Sequence, residues 1–333
     1  MVYDHTVLGY SMRMVHYING KQGKAGYGII EDDYVCPLKN CDTPGDVFEA
    51  VKKGKVKTRG KIKTGGLQYL PPAGQACRLY CAGLNYRDHA EEVKMPVPAN
   101  PVFFTKSHGA LCGGNDAVVY PRQVALLDYE IELAVIIGRT ICKNTPLTEE
   151  NLHEYILGIA IMNDVSARDV QLSRGQWFLG KSFRTFAPLG PVLQVFDRDV
   201  AERLYDLTLS LSVSSSSGRR YENKKQHGST GNMIFPISRL LNELRVCVDL
   251  IPGDVVATGT PAGVALSSPG RLETRVADIL GIPQGRRIAR FLARERKTNH
   301  RYLQPGDVVE SRIYSSDRVV DLGVQRNEIV GDE

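Results

Sequence analysis

Residues 128–138 read DYEIELAVIIG, and this stretch decides how the rest of the chain is interpreted. Side chains alternate between the two faces of a β-strand, so Glu130 and Glu132 share one face while Ile131 and Leu133 point to the other. Two carboxylates this close repel each other unless a cation or solvent lies between them. The spacing therefore indicates either a metal site or a half-exposed strand whose glutamates face water. Spacing alone favours the second alternative.

A third carboxylate follows another apolar stretch. Asp164 ends residues 156–164, ILGIAIMND, where burial of a carboxylate is costly unless it is paired. The alternative is that Asp164 only caps a turn. Three carboxylates with no Cys or His partner would form a hard oxygen site suited to Mg²⁺ or Mn²⁺.

A histidine and a glutamate stand close together in residues 83–93, GLNYRDHAEEV, which we interpret as a strand end that enters a helix. His89 and Glu92 are three residues apart and share one face of the first helical turn. A carboxylate beside an imidazole orients the ring and favours the protonated form that a general base reaches when it accepts a proton. Taken alone, the spacing fits solvent-facing charges on a helical turn better.

One motif indicates a function that its context rejects. Residues 175–182, GQWFLGKS, match the phosphate-binding pattern G-x-x-x-x-G-K-[ST] at every required position. A P-loop needs an apolar strand before it and a helix after it, but RDVQLSR precedes this match and Pro188 and Pro191 follow it. The bulky residues 177–179 would also crowd the phosphate cradle. We instead expect Lys181 to be a buried cation near the carboxylates.

The organisation of the chain indicates a β-rich, mixed α/β protein. Residues 1–73 form a small leading unit, with a Lys-, Gly- and Pro-rich connector over 58–74, and residues 77–333 form the catalytic unit. Few helical periods separate the short β-rich runs, so repeated βαβ winding is not expected. The sequence PGDVV occurs at 252–256 and again at 305–309, which predicts two tight turns that each launch a strand.

Two further segments have their own character. The Ser-rich residues 210–218 are expected to form a surface loop, and residues 271–301 look inserted. Within the insertion, Ile288, Phe291 and Leu292 have the spacing of an amphipathic helix, whose outer face is rich in arginine. We expect this helix to pack on the body or on a partner subunit. Binding to an anionic surface is the weaker alternative.

The charge of the chain is concentrated in one place. The formal net charge is +5, but residues 286–301 carry seven Lys or Arg and one Glu, a local +6, which leaves −1 for the remainder. This distribution argues against a nucleic-acid-binding body. Seven scattered cysteines without a C-x-x-C pair indicate neither a disulfide framework nor a zinc site.

The sequence also predicts neither a membrane span nor a signal peptide. No apolar run approaches the roughly 20 residues that span a bilayer, so no membrane partner is expected. The N-terminal stretch MVYDHTVLGYSMRM has no basic region followed by an apolar core. These features predict a cytoplasmic protein, with a mitochondrial location left open.

Together, these segments resemble a known family. The match runs from about residue 77 to residue 330 and rests on several blocks in order: GLNYRDHAEE, FFTKS, DYEIELAVIIG, NDVSARDVQ, QWFLGKSFRTFAPLGP, NMIF, PGDVVATGTPAGV and LQPGDVV. They resemble the fumarylacetoacetate hydrolase superfamily, closest to members that act on acylpyruvates or oxaloacetate. The resemblance implies a β-roll-like catalytic fold beside a small N-terminal domain, a Mg²⁺ or Mn²⁺ ion, and a homodimer.

The resemblance also implies a role for each candidate residue. The metal ligands would be Glu130, Glu132 and Asp164. The groups that activate water and stabilise the reacting oxygen would be His89, Glu92 and Lys181. The groups that hold the carboxylate and oxo groups of the substrate would be Lys106, Arg168, Gln171 and the backbone around Thr260.

The implied activity is metal-dependent hydrolysis of a C–C bond in an acylpyruvate-like, 1,3-dicarbonyl 2-oxo acid. Oxaloacetate decarboxylation and keto–enol tautomerisation are alternatives on the same site, because loss of CO₂ or of a proton gives the same kind of enolate. More remote alternatives are a P-loop NTPase and a catalytically inactive scaffold. The sequence departs from the family at Arg184, where many relatives carry Asp, at the Ser-rich segment before NMIF, and in the 271–301 insertion.

Overall fold

The structure is a computed structural model that describes residues 12–20, 23–215, 225–268 and 283–332. The β-strands in these ranges are β1 Arg13–Asn19, β2 Ala25–Glu31, β3 Tyr34–Pro37, β4 Ile62–Lys63, β5 Leu67–Leu70, β6 Leu79–Gly83, β7 Val102–Lys106, β8 Leu111–Gly113, β9 Val118–Tyr120, β10 Leu127–Asp128, β11 Ile131–Ile137, β12 Ile156–Asn163, β13 Ser166–Ala167, β14 Ala187–Leu189, β15 Val192–Val195, β16 Leu207–Ser215, β17 Gln226–Ser229, β18 Val255–Ala257, β19 Asp307–Ser315 and β20 Gln325–Gly331. The α-helices are α1 Pro44–Lys52, α2 Arg87–Glu92, α3 Arg168–Arg174, α4 Trp177–Lys181, α5 Arg198–Arg203, α6 Ile237–Cys247 and α7 Gln284–Thr298.

A thirteen-stranded sheet forms the body of the protein. Its main path runs β4-β3-β2-β1-β15-β12-β11-β18-β6-β7, and β5, β8 and β14 join it from the side. The central strands β11 and β12 are antiparallel, and every one of their residues is buried. A second sheet, β17-β16-β19-β20-β9, contacts this central pair through β16 and β19. The prediction of a β-rich, mixed α/β fold is confirmed.

The leading unit shares the large sheet with the rest of the chain. Strand β1 pairs antiparallel with β15, where Val15 lies opposite Val192. The prediction that residues 58–74 are a plain connector is wrong, because β4 and β5 lie in this segment and pair with β3 and β1. Ile62 between two lysines, and Leu67 and Tyr69 on either side of Gln68, are enough for short strands that pair with β3 and β1. The unit boundary at residues 73–77 stays a prediction.

The Ser-rich segment forms a strand over most of its length. The prediction of a loop over 210–218 is wrong for residues 210–215, which belong to β16 and pair with β19; residues 216–218 lie outside the described residues. The reason is period-2 alternation, since Leu211 and Val213 are buried while Ser210, Ser212 and Ser214 are partly or fully exposed. Here the alternation outweighs the polar composition.

The two PGDVV turns have the predicted form. Gly253 and Gly306 adopt positive φ angles of 94° and 87°, a conformation that glycine reaches without steric cost. In each turn the following aspartate accepts a hydrogen bond from the backbone three residues earlier, at 2.8 Å for both Asp254 and Asp307. The first turn leads into β18 and the second into β19, as the repeat predicts.

The helix predicted in the insertion is confirmed as α7. Leu292 is buried, and Ile288 and Phe291 pack against the core. Residues 271–282 of the insertion lie outside the described residues. Among the helices that the structure describes, none combines the length and the apolar character needed to cross a membrane.

Candidate active site

The three predicted carboxylates meet at one end of the central strand pair. Glu130 immediately precedes β11 and Asp164 immediately follows β12, and the backbone N–H of Asp164 donates to the carbonyl of Glu130 over 2.8 Å. Glu130, Glu132 and Asp164 each place one oxygen within 4.8 Å of the others. They are only 6%, 1% and 0% exposed, so the alternative of water-facing glutamates is wrong.

Two buried lysines neutralise part of this cluster. The Nζ atom of Lys181, at the end of α4, lies 2.9 Å from Oε2 of Glu130 and 2.5 Å from Oδ2 of Asp164. Lys106, at the end of β7, donates to the other carboxylate oxygen of Asp164 and to the carbonyl of Val165. Lys181 is therefore the buried cation that the sequence predicts.

A third cation, Arg168, lies on the opposite side of Glu130. Its Nη2 atom is 2.5 Å from Oε1 of Glu130, and its Nη1 donates to Gln171 over 3.0 Å. Its Nε donates to Asp128 over 2.8 Å, and Asp128 also accepts from the backbone N–H groups of residues 265–266. Our sequence analysis missed Asp128, although its position two residues before Glu130 in the same alternating run was a usable signal.

The two glutamates have opposite electrostatic environments. Burial disfavours ionisation of Glu130, but Lys181 and Arg168 outweigh it and hold the pKa of Glu130 at about 2. The pKa of Glu132 is raised well above its ordinary value by burial and then by the charges of Asp164 and Glu130. Among the described residues, no Lys or Arg nitrogen lies within 4.0 Å of the Glu132 carboxylate, which accepts instead from Gly259 N–H over 2.9 Å.

This imbalance is what a divalent cation would correct. A buried carboxylate without a cation is costly in its ionised form, and a metal ion among the three oxygens would supply the missing positive charge. An all-oxygen donor set of carboxylates is the kind that Mg²⁺ and Mn²⁺ prefer. The residues present therefore fit a hard divalent ion.

The predicted histidine–glutamate pair is formed on α2. Nδ1 of His89 lies 3.3 Å from Oε2 of Glu92, as the three-residue spacing predicts. His89 is 9% exposed, so the alternative of a solvent-facing histidine is wrong. His89 also lowers the pKa of Glu130, although its effect is smaller than those of burial, Lys181 and Arg168. The imidazole is therefore within electrostatic reach of the carboxylate cluster.

Thr260 and Gln226 position the start of β11. The hydroxyl of Thr260 donates to the carbonyl of Ile131 over 2.9 Å and accepts from Nε2 of Gln226 over 2.8 Å. Gln226 is fully buried, and its Oε1 accepts from the backbone N–H of Ile131. Both side chains thus hold the strand that carries Glu132. The role of the backbone around Thr260 in substrate binding stays a prediction.

An aromatic layer borders the two lysines. Phe104 precedes Lys106 by two residues on β7, and Trp177 precedes Lys181 by four on α4, so each aromatic ring shares a face with its lysine. The two rings make an edge contact, with centroids 5.0 Å apart, and Nζ of Lys181 lies 5.3 Å from the Phe104 centroid. Trp177 packs over Gly83, where a Cβ atom would lie 2.4 Å from the indole. These contacts support our rejection of a P-loop at residues 175–182.

Comparisons with known proteins show which family this chain resembles. The family profile described as "Fumarylacetoacetate (FAA) hydrolase C-terminal" matches residues 78–330. A Burkholderia ambifaria protein named "Putative hydrolase" is 41% identical over 194 residues, which are 58% of this chain and 64% of that protein, so the match spans less than two thirds of the relative.

Solved structures resemble almost the whole chain. The fumarylacetoacetate hydrolase from Exiguobacterium antarcticum is 28% identical with a TM-score of 0.69, over 97% of this chain and 100% of that one. The 2-hydroxyhepta-2,4-diene-1,7-dioate isomerase from Mycobacterium marinum is 25% identical with a TM-score of 0.68, over 97% and 99% of the two chains. The chain belongs to the fumarylacetoacetate hydrolase family.

Proposed function

We propose that this protein is a divalent-metal-dependent hydrolase that cleaves a C–C bond in acylpyruvate-like, 1,3-dicarbonyl 2-oxo acids. The observation that carries the proposal is the buried cluster of Glu130, Glu132 and Asp164, in which Glu132 lacks a cationic partner among the described residues. The His89–Glu92 pair within electrostatic reach of that cluster supplies a general base.

The three clustered carboxylates would hold the metal. When bound, Mg²⁺ or Mn²⁺ would supply Lewis-acid stabilisation of negative charge on the substrate oxygens. The second lysine contact of Asp164 and the arginine contact of Glu130 orient these two carboxylates.

The buried charges favour a substrate with one carboxylate at the reacting end. The cluster and the buried side chains paired with it comprise four carboxylates and three cations: Asp128, Glu130, Glu132, Asp164, Lys106, Arg168 and Lys181. If all are ionised, they leave one negative charge, and a divalent ion turns this into one positive charge. A single carboxylate, such as that of a 2-oxo acid, would complete neutrality, which is favourable in a buried site.

The proposed reaction begins at the dyad. Glu92 orients His89 through Nδ1, so the other ring nitrogen, Nε2, takes a proton from water. The resulting hydroxide attacks the distal carbonyl, the C–C bond breaks, and its electron pair stays on the 2-oxo half as an enolate. Return of the proton gives the shorter 2-oxo acid, and the acyl half leaves as a carboxylic acid. Lys181 would stabilise the reacting oxygen.

The proposed substrate-binding residues are Lys106, Arg168, Gln171 and the backbone at Thr260. Arg168 and Gln171 hydrogen-bond to each other over 3.0 Å through the Gln171 oxygen, which leaves the amide donors of Gln171 for the substrate. The aromatic layer of Phe104 and Trp177 beside the lysines supports an apolar acyl group at the distal end.

A second candidate is keto–enol tautomerisation, or decarboxylation of oxaloacetate, on the same residues. The likeness to the Mycobacterium marinum isomerase favours it, because that protein covers nearly the whole chain at 25% identity. Proton transfer needs the same dyad and the same stabilisation of an enolate, but no attacking water.

Ultraviolet absorbance of acylpyruvates and of oxaloacetate, with Mg²⁺ and then with excess chelator, tests the proposal. We expect metal-dependent loss of acylpyruvate, with ¹⁸O from labelled water in the acid product. CO₂ release or enol–keto exchange without ¹⁸O would favour the second candidate. No turnover of any 2-oxo acid by a metal-loaded protein would overturn both.

We also propose a homodimer, which so far rests on the resemblance alone. Light scattering on the full chain should then give twice the chain mass of 36.8 kDa. A mass of one chain at micromolar concentration would contradict the dimer without affecting the proposed chemistry.

A further inference from the structure

We propose that helix α7 braces the active site, and that Glu295 on this helix is a positioning residue for the His89–Glu92 dyad and for Arg168. It acts through residues 261–268, which we call the brace loop. This inference rests on the proposed function for its kinetic consequences, but its structural consequence is measurable without turnover.

Glu295 is the anchor of the brace. It is 2% exposed and accepts four hydrogen bonds, two of them from the backbone N–H and the hydroxyl of Ser267, at 3.3 and 2.5 Å. The others come from Asn299 and Tyr302, each at 2.9 Å. Burial disfavours the ionised form of Glu295, but these donors together outweigh it and lower its pKa. The carboxylate is therefore held charged at neutral pH, where such hydrogen bonds are strong.

The residues after α7 hold the same loop at a second point. The side-chain amide of Asn299 donates to the carbonyl of Ala265 over 2.7 Å, and the guanidinium of Arg301 donates to the same oxygen over 2.9 Å. Ala265 is thus fixed through its carbonyl and Ser267 through its N–H and hydroxyl. The end of the insertion sets the position of the C-terminal half of the brace loop.

The brace loop in turn contacts the dyad. The backbone N–H of Gly263 donates to both carboxylate oxygens of Glu92, at 3.0 and 3.1 Å. The hydroxyl of Ser268 donates to the carbonyl of Glu92 over 2.6 Å. Helix α2 has only six residues, so these two contacts are a large share of what fixes the carboxylate that orients His89.

The brace loop also supports the arginine side of the site. The backbone N–H groups of Ala265 and Leu266 donate to the carboxylate of Asp128 at 2.7 and 3.0 Å, and Asp128 accepts from Nε of Arg168. A weaker tie runs directly from α7 to α3, where Arg296 lies 3.2 Å from Asp169 and is 54% exposed. One loop thus reaches both halves of the proposed catalytic machinery.

The metal ligands are held by other means, which makes the brace testable. Glu130 and Asp164 flank paired strands in the middle of the large sheet, and their ionic partners come from β7, α3 and α4. Arg168 also pairs with Glu130, but strand pairing and the two lysines hold the cluster without the brace loop, so loosening the loop should move the dyad far more than the metal cluster. A misplacement of about 1 Å can cost on the order of 10² in rate.

The test uses Glu295→Gln in the full chain, with Arg290→Gln on the exposed face of the same helix as the matched control. We expect Glu295→Gln to lower kcat on an acylpyruvate by roughly tenfold to 10²-fold, while Mn²⁺ affinity stays within about twofold. Hydrogen exchange of the 261–268 peptide should become about tenfold faster. Tyr302→Phe removes one of the four hydrogen bonds to Glu295, so kcat and the exchange of residues 261–268 should change in the same directions by smaller amounts. This variant provides the test if Glu295→Gln folds poorly.

If residues 261–268 exchange hydrogen as slowly in Glu295→Gln and Tyr302→Phe as in the wild type, the proposed brace is overturned. A fall in kcat that matches the fall in the fraction of chains able to bind Mn²⁺ would also overturn it, because that result indicates a purely structural role for Glu295. If the wild type turns over no 2-oxo acid, the proposed function fails separately, and the exchange measurement still decides whether α7 positions the loop.

Discussion

The two halves of the site are held in place by different kinds of structure. The carboxylate cluster flanks strands β11 and β12, which pair over their whole length and are buried on both faces. The dyad lies on the six-residue helix α2 and is held by the backbone N–H of Gly263 and the hydroxyl of Ser268 in the brace loop. Strand pairing holds the metal ligands, whereas the base is held by hydrogen bonds from a loop distant in sequence. Substitutions should therefore separate metal binding from turnover.

The largest effect is expected from Glu132→Gln. Activity should fall by at least about 10³-fold because a metal ligand is lost. The metal-free protein should at the same time become more stable, by about 1 kcal/mol, because a buried carboxylate with a raised pKa is replaced by a neutral group. Activity assays and thermal unfolding in chelator measure the two changes.

Glu130→Gln, one residue before β11, is the matched control, and its effect on stability should have the opposite sign. The pKa of Glu130 is about 2 in the folded protein and 4.5 in the unfolded chain. Ionised Glu130 therefore stabilises the fold at every pH above 4.5, and this contribution is lost as the pH falls towards 2. The substitution should destabilise the metal-free protein by about 3 kcal/mol. Equal destabilisation by both substitutions would contradict the uneven charge of the cluster.

The next largest effect is expected from Glu92→Gln. Removal of the carboxylate that orients His89 should lower kcat by about 10²-fold, while metal affinity stays within about twofold. The neighbouring Glu91 is exposed, so Glu91→Gln serves as a control that should change neither quantity. A large loss of metal affinity in Glu92→Gln would show that the two halves are not separable.

A smaller effect is expected from pH on metal binding. Because the pKa of Glu132 is raised, this carboxylate binds a proton more readily than an ordinary glutamate, and the metal must displace that proton. Mn²⁺ affinity should therefore keep rising with pH within the range in which an ordinary glutamate is already ionised. Glu92→Gln should keep the same pH dependence, since the dyad is not a ligand. Affinity that does not change over this range would argue against a protonated Glu132.

Local patterns in the sequence predicted the parts of the site that local geometry decides. The alternation in residues 128–138 places Glu130 and Glu132 together, and the three-residue spacing brings His89 and Glu92 to 3.3 Å. Periodicity and helical spacing act over a few residues, so they can be recognised without knowledge of the fold. The same periodicity was present in the Ser-rich segment, where we gave too much weight to composition.

The charge balance of the site could not be predicted this way. The difference between Glu130 and Glu132 arises from Lys181 and Arg168, which lie on other elements and form ion pairs with Glu130 but not with Glu132. The brace depends on Glu295, which is more than 200 positions from Glu92, the dyad residue that it indirectly positions. Such contacts follow from the packing of distant elements, and no local spacing records them.

The most direct test of the central claim is calorimetric titration of Mn²⁺ into the wild type, Glu132→Gln and Glu92→Gln. We predict one ion per chain for the wild type and for Glu92→Gln, and no measurable binding for Glu132→Gln. Unchanged binding by Glu132→Gln, or no binding by the wild type, would contradict the assignment of the carboxylate cluster as the metal site.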